Sequence, residues 1–116
     1  MAFSNYSPQI WITDALQALL AANRDVAIQH LSGRGNDPVR RNLMYTYGTV
    51  TLSFVPEGAT LRWNEWGLAL AGLANVYDEY DYTGFDFTVR VVLSVEGKGF
   101  LRGAAITTPQ ATPQAA

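Results

Sequence analysis

Two stretches of the chain carry apolar residues at the spacing of an amphipathic helix. In Gln9–Asn23, apolar side chains recur every three or four residues, at Ile12, Leu16, Leu19 and Ala22. In Leu61–Tyr77, most of the helix surface is apolar, which is typical of a helix buried on more than one side. Thr60 is its predicted N-cap, without a capping box because Trp63 stands three residues later. In so small a domain, this second helix indicates a subunit interface.

Alternation of apolar and polar residues predicts strands elsewhere. Phe85–Val95 alternates throughout, as a half-buried antiparallel strand does. Glu96–Gly99 is predicted to be a hairpin turn, after which Phe100–Thr107 returns as the last strand. Arg40–Val55 is predicted to be one long strand, with Gly48 as a bulge or a point of close approach. Its predicted core-facing residues are Met44, Val50, Leu52 and Phe54.

The segment Asp25–Ser32 is ambiguous, since its alternation indicates a strand while a continued helix stays open. Gly33–Pro38 after it is predicted to be a loop. With Asp25–Ser32 taken as a strand, the order of elements is helix, strand, strand, helix, strand, strand. The predicted fold is therefore α+β: a two-layer sandwich with two helices on one face of a four-stranded antiparallel sheet. This αββαββ arrangement amounts to a permuted ferredoxin-like plait.

The uncovered face of this sheet is predicted to be rich in aromatic and hydroxyl side chains. Its predicted residues are Tyr45, Tyr47, Thr49, Thr51, Thr88 and Arg90. We expect such a face to pack on a second copy of the chain. Residues 1–107 are predicted to form a single domain, and residues 108–116, which contain Thr-Pro-Gln twice, to form a flexible low-complexity tail.

Composition narrows the classes of function. Only 16% of the 116 residues are charged and 48% are hydrophobic, whereas soluble domains carry about 25% charged residues. This shortage of charge predicts self-association or a protein partner. The formal net charge is −2, and the arginines are spread along the chain beside a single lysine, Lys98. Because nucleic-acid affinity depends on clustered cations, the sequence argues against nucleic-acid binding.

The sequence gives little information on the compartment. It has no cysteine, which excludes disulfides, thiolate metal sites and cysteine nucleophiles. No signal-peptide pattern begins the chain, and charges interrupt every apolar stretch, so no membrane span is predicted. We expect a cytoplasmic protein, or a secreted one whose signal peptide is absent from this sequence.

Three segments carry a family resemblance. They are Arg41–Val50, which contains a Tyr-Gly-Thr-Val sequence, Leu70–Tyr77 and Gly97–Phe100. Together they resemble a pattern in small fungal necrosis-inducing effectors related to fungal killer toxins. The resemblance implies a two-layer α/β sandwich and an interaction role at the surface of a host or competitor. This chain has Val50 where that pattern has a disulfide cysteine, and the resemblance assigns no functional residue.

Residues that carry out catalysis are sparse. His30 is the single histidine, and on a strand it would not converge with Asp25 or Ser32 as a Ser-His-Asp device requires. One histidine is too few for a histidine-based metal site, and the acidic residues at 78, 79 and 81 lack the spacing of a calcium loop. Glu65 has two interpretations: a general acid in an aromatic setting, or a first-turn glutamate. The sequence therefore predicts no catalytic residue, metal or cofactor.

Binding residues are predicted on two charged segments and on the aromatic side chains. Arginines around the Gly33–Pro38 loop are predicted to form a patch for an anion or an acidic partner. Residues 77–82 are acidic and rich in tyrosine, so they complement that patch and favour head-to-tail association. The predicted partner-binding residues are Arg34, Arg40, Arg41, Trp63, Trp66, Tyr77, Tyr80 and Tyr82.

These patterns predict a small non-enzymatic interaction protein, effector-like or toxin-like, that forms a homo-oligomer through its sheet face or second helix. Two alternatives stay open. One is a small ligand-binding or lyase-like enzyme of dimeric plait type that uses Glu65, His30 or tyrosines in an aromatic pocket. The other is a self-assembling structural subunit whose proline-containing tail grips a neighbour.

Overall fold

The computed structural model describes residues 1–58, 60–91 and 94–104, which form two helices and five strands. In chain order these are β1 (Ala2–Ser4), α1 (Ile12–Leu31), β2 (Leu43–Tyr47), β3 (Val50–Pro56), α2 (Trp63–Glu79), β4 (Phe85–Val91) and β5 (Ser94–Arg102). All strand pairs are antiparallel, in the order β1-β4-β5-β3-β2. The predicted α+β class with two helices and an antiparallel sheet is confirmed. The sheet has five strands rather than the predicted four.

Helix α1 is longer than the periodicity predicted, because it continues through Leu31. The strand interpretation of Asp25–Ser32 was therefore wrong. The buried face of α1 consists of Ala15, Ala18, Leu19 and Ala22. In the segment that was ambiguous, Val26 packs against α2 at Gly67, where an added Cβ would lie 3.1 Å from the valine side chain. This close helix–helix contact holds the segment in the helical state.

The predicted long strand Arg40–Val55 is a hairpin. The chain reverses at Gly48, whose φ of +58° at the first central position fits a type II′ turn, and Tyr47 pairs with Val50. Pairing across a two-residue turn puts odd-numbered residues of β2 on the same face as even-numbered residues of β3. Leu43 is accordingly buried, whereas Met44 is 69% exposed, so the prediction that Met44 faces the core was wrong.

The last hairpin also differs from its prediction. The predicted turn Glu96–Gly99 lies inside β5, where Gly97 pairs with Val89 and Gly99 with Phe87. Val92 and Leu93, the predicted continuation of the preceding strand, lie outside the described residues. So do residues 105–107 of the last predicted strand and the predicted tail 108–116.

A stack of three aromatic rings lies at the centre of the core. The Trp66 ring lies 4.5 Å from that of Phe54 and 6.3 Å from that of Phe87, in both cases nearly parallel. Leu52, Phe85 and Leu101 are fully buried on the same face of the sheet. The two helices thus cover one face.

The other face of the sheet is uncovered, and its residues differ from the predicted ones. Thr51 and Thr88 lie there as predicted, whereas Arg90 follows the register shift in β4 and lines a depression with Glu65 and Leu68 of α2. The predicted Tyr45 and Tyr47 do not, because the hairpin turns them to the helix side. This face therefore lacks the two tyrosines that made it a predicted self-association surface.

Strand β1 is the additional edge strand, and it lies in the N-terminal lead-in, residues 1–8, for which the sequence pattern predicts no strand. After β1, Asn5 donates a hydrogen bond to Asp86 at 2.7 Å, and Arg102 donates to the same carboxylate at 2.8 Å. The Asn5 amide and the Arg102 guanidinium hold the pKa of Asp86 below its usual range. One carboxylate thereby connects the lead-in, β4 and β5.

We expect Asp86→Asn to lower the free energy of unfolding at pH 7 by about 0.5–1 kcal/mol, the size of a half-exposed ion pair. Because the pKa of Asp86 is lower in the folded state, its ionised form stabilises the protein at a pH above its unfolded-state pKa of about 3.9. This stabilisation is lost as the pH falls through the folded-state pKa. The wild type should therefore lose more stability than the variant between about pH 5 and pH 2. Urea unfolding across that range measures the difference, and identical pH slopes would contradict it.

Candidate functional site: an arginine depression at one end of helix α2

The three predicted arginines converge on one open depression of about 280 Å³, here called the arginine depression. It is lined by Gln29, Arg34, Asp37, Pro38, Arg40, Arg41 and Trp63. The arginines come from the connection between α1 and β2, and Trp63 is the first residue of α2. Sequence reasoning found Arg34, Arg40, Arg41 and Trp63 but missed Gln29, Asp37 and Pro38.

The loop that carries Arg34 begins with a defined helix stop. Gly33 has a φ of +77° and follows the C-cap Ser32. Its N–H donates to His30 O at 3.1 Å, and the N–H of Arg34 donates to Gln29 O at 2.8 Å. These two bonds are those of a Schellman motif. They fix the direction in which the chain leaves α1 and therefore the position of Arg34.

The same loop is hydrogen bonded to the start of α2. Trp63 N donates to Asp37 O at 3.1 Å, and Asn64 N donates to Gly35 O at 2.9 Å. These N–H groups would otherwise be unsatisfied at a helix N-terminus. Because loop carbonyls already occupy them, an anion in the depression would be held by arginine side chains rather than by the helix end.

Arg41 is the arginine of the depression that contacts other side chains of the protein. Its Nη2 lies 3.0 Å from a carboxylate oxygen of Asp25, and its guanidinium carbon lies 5.2 Å from the centre of the buried Trp63 ring. The Tyr45 hydroxyl donates to the same carboxylate at 2.6 Å. Burial, followed by this hydrogen bond to Asp25, raises the pKa of Tyr45, which keeps the hydroxyl protonated as a donor.

Arg34 and Arg40 are both exposed. Within residues 1–58, 60–91 and 94–104, neither takes part in an ion pair. Their charges are therefore accessible to a ligand, whereas the charge of Arg41 is compensated internally. The depression combines two accessible guanidinium groups with one that is held in place.

Three of the predicted binding residues are buried: Trp63, which is 5% exposed and lines the depression, and Trp66 and Tyr77, which lie in the core. Trp66 and Tyr77 are 0% and 1% exposed. Trp66 belongs to the aromatic stack, and the Tyr77 hydroxyl donates to Ile10 O at 3.2 Å. Burial raises the pKa of Tyr77, with smaller effects from Tyr82 and Asp14. Neither side chain reaches the surface of this chain.

Tyr80 and Tyr82 lie at the opposite end of α2, in a region here called the acidic corner: Tyr6 and residues 78–82. Tyr80 is 51% exposed and stacks on Tyr6 with 5.1 Å between ring centres, and Tyr82 contacts the edge of Tyr77. Asp81 and Tyr82 have φ values of +57° and +63°, which are unusual for residues other than glycine. Ile10 N donates to Tyr82 O at 3.0 Å and helps hold this turn.

The two charged regions lie about 25 Å apart, the length of the 17-residue helix α2. Arginines cluster near its N-terminus and carboxylates near its C-terminus, which opposes the helix dipole at both ends. Helix stability therefore does not explain this distribution of charge. Among the described residues, those of the acidic corner included, no three His, Asp or Glu side chains are grouped so that they could hold a metal ion.

Glu65 and Thr60 take part in local hydrogen bonds, and His30 lies at the surface. Glu65 Oε1 accepts a hydrogen bond from Arg62 N at 2.9 Å, so Glu65 caps the start of α2. Thr60, the predicted N-cap, instead donates its hydroxyl to Glu96. His30 is exposed in the last turn of α1 and lines a depression of about 150 Å³ together with Asn36 and Asn64.

In comparisons with known proteins, no family model, curated protein or solved structure matches the chain. Neither described helix is long and apolar enough to cross a membrane.

Proposed function

We propose that this chain is a small non-enzymatic interaction protein that binds an acidic, tyrosine-containing segment of a partner protein in the arginine depression. The observation that carries this proposal is the convergence of Arg34, Arg40 and Arg41 on one depression beside Trp63. Arginine and tryptophan are the residue types most enriched where binding energy concentrates at protein interfaces.

The chemistry of the depression fits carboxylates and aromatic rings. Guanidinium groups bind carboxylates through paired hydrogen bonds and also stack on aromatic faces. A volume of about 280 Å³ accommodates one or two side chains and is at the lower limit for small-molecule pockets. A short protein segment with alternating acidic and aromatic side chains matches both properties.

The architecture belongs to the proposal as well. With β1 set aside, the strands run in the order β4-β5-β3-β2, and a helix precedes each hairpin. This order supports a circularly permuted ferredoxin-like plait with an added edge strand. The resemblance to fungal killer-toxin-related effectors supports a partner at the surface of a host or competitor cell.

A peptide with the sequence of residues 76–83 of this chain, labelled with a fluorophore, is a suitable probe. Its sequence places two aspartates and a glutamate among three tyrosines. Fluorescence anisotropy should show saturable binding that weakens between 0.05 and 0.5 M salt, because screening shortens the range of charge interactions. The control peptide replaces Asp78, Glu79 and Asp81 by the matching amides. Equal affinity for both peptides would overturn the proposal.

A further inference from the structure

The two edges of the sheet differ in how well they are protected against pairing with another strand. Natural edge strands avoid such pairing by being short or by carrying lysine, proline or a bulge. At one edge, β1 has three residues. At the other, β2 has five residues, Leu43–Tyr47, with no charge, no proline and no bulge in its pairing with β3. Edge β2 is therefore the unprotected one.

The unpaired backbone groups of β2 can be identified from the hairpin. Tyr47 and Val50 flank the two-residue turn and form its closing hydrogen-bonded pair. Alternation along an antiparallel strand then directs the N–H and C=O groups of Met44 and Thr46 away from β3. Both side chains are exposed, so the edge presents two donors and two acceptors.

We propose that β2 pairs with β2 of a second copy around a two-fold axis that passes between the two Tyr45 residues. This pairing joins two five-stranded sheets into one sheet of ten strands. In this register Met44 pairs with the partner subunit's Thr46, and Thr46 with the partner subunit's Met44. Each pair exchanges two hydrogen bonds, which uses every outward-facing donor and acceptor of these residues. The contact is self-complementary, as a two-fold interface requires. This proposal does not depend on the arginine depression.

Helix α1 supports this choice of partner. It contacts both β2 and β3, so its axis lies over the gap between these strands. Neighbouring strands are about 4.8 Å apart, and the two-fold axis lies midway between the two β2 strands. The axis of α1 therefore lies about 5 Å from the two-fold axis. The two copies of α1 would then lie about 10 Å apart, close to the usual spacing of packed helices. Gln17, Ala21 and Ile28 lie roughly 140–180° around α1 from Val26, which faces α2. These residues face the partner together with the exposed Arg24, which lies about 160° from Val26, and they include Ile28, which is 59% exposed.

Charges at the ends of the paired strands are complementary. Two residues beyond Leu43, the register brings Arg41 opposite the partner subunit's Thr49. Thr49 N donates to the Asp14 carboxylate at 3.1 Å within each chain. The guanidinium of Arg41, which stays paired with Asp25 of its own chain, would then lie on the same side of the sheet as the partner subunit's Asp14, and the two-fold axis repeats this arrangement. Opposite charges at both ends favour this register.

Sedimentation equilibrium over a concentration series, with the full chain, tests the dimer. The wild type should sediment at twice the mass of one chain. Thr46→Pro removes two of the four intermolecular hydrogen bonds but none between β2 and β3, because its N–H points outward. It should weaken dimerisation about a hundredfold. Thr46→Val is the control: it also loses the bond to the Thr51 hydroxyl but keeps the N–H, and it should stay dimeric.

Amide hydrogen exchange of the wild type provides a second readout that does not require the proline variant to fold. The amides of Met44 and Thr46 should be protected at high protein concentration and exchange quickly on dilution. A monomeric wild type, or fast exchange of these amides at every concentration, overturns the proposal. So does a Thr46→Pro protein that dimerises as tightly as the wild type. The peptide titration is unaffected by these outcomes, so the two proposals can fail separately.

Discussion

Gly99→Ala is expected to destabilise the protein by about 3 kcal/mol, the upper range for overpacking in a well-packed core. A Cβ at Gly99 would collide with the backbone oxygen of Ser53 on β3 and would lie 2.6 Å from the Phe87 ring. The backbone oxygen belongs to a central strand of the sheet and cannot move without breaking the pairing. The Phe87 ring is held in the stack with Trp66 and Phe54.

Thermal unfolding followed by circular dichroism measures this effect. For a domain of this size, a loss of about 3 kcal/mol lowers the midpoint by about 10–15 °C. Lys98→Ala is the matched control, because Lys98 is an exposed neighbour on the same strand, with a 3.9 Å ion pair to Glu57. It should shift the midpoint by no more than about 2 °C. A Gly99→Ala midpoint within that range would mean that β5 does not lie where the structure has it.

The same glycine shows why part of the fold was not predictable from the sequence. Gly97-Lys98-Gly99 has the composition of a turn, and local reasoning assigns it to one. In the structure, both glycines leave room for rings on neighbouring strands: Phe54 beside Gly97 and Phe87 beside Gly99. Those rings are 12 to 43 residues away in sequence, so no local pattern distinguishes this use of glycine from a turn.

After β1, the observed order of elements matches the predicted one, but for partly wrong reasons. Asp25–Ser32 was counted as a strand although it is helical, and Arg40–Val55 was counted as one strand although Gly48 divides it into two. The two errors cancelled. The correct predictions depended on periodicity over many residues, as in Phe85, Phe87 and Val89, all of which are buried. Where a single glycine decides between bulge and turn, periodicity carries no information.

The candidate site was predictable where its residues are close in sequence. Arg34, Arg40 and Arg41 flank one loop, so any compact path of that loop keeps them near each other. Trp63 joins them through backbone hydrogen bonds between the loop and α2, which the sequence does not show. Trp66 and Tyr77 share the helical stripe with Leu70 and Leu73, and that same spacing places them in the core.

Charge reversal at the arginine depression is expected to have the largest effect on binding. Arg40→Glu should weaken binding of the acidic peptide about tenfold, and the double variant Arg34→Glu, Arg40→Glu more than about a hundredfold, since hydrogen bonds to charged groups contribute about 1.5–3 kcal/mol each. Neither arginine takes part in a salt bridge in the described chain, so both variants should keep the wild-type unfolding midpoint. Anisotropy titration and thermal unfolding of each protein measure the two quantities.

Arg90→Glu is the control that separates a specific site from a change in net charge. Arg90 is exposed beside Glu65 and Leu68 and is not among the residues that line the arginine depression. This variant changes the net charge by the same amount as Arg40→Glu, so it should bind the acidic peptide with nearly wild-type affinity. If both single variants weaken binding equally, the peptide responds to the overall field of the protein rather than to the depression.

A peptide of reversed charge tests charge recognition through a gain in affinity instead of a loss. With Asp78, Glu79 and Asp81 replaced by lysine, the peptide should bind the double variant more tightly than it binds the wild type. Reversing both sides restores the attraction while the aromatic contacts stay the same. A double variant that binds neither peptide would show that Arg34 and Arg40 shape the depression rather than recognise charge. That result would remove the acidic segment as the proposed ligand.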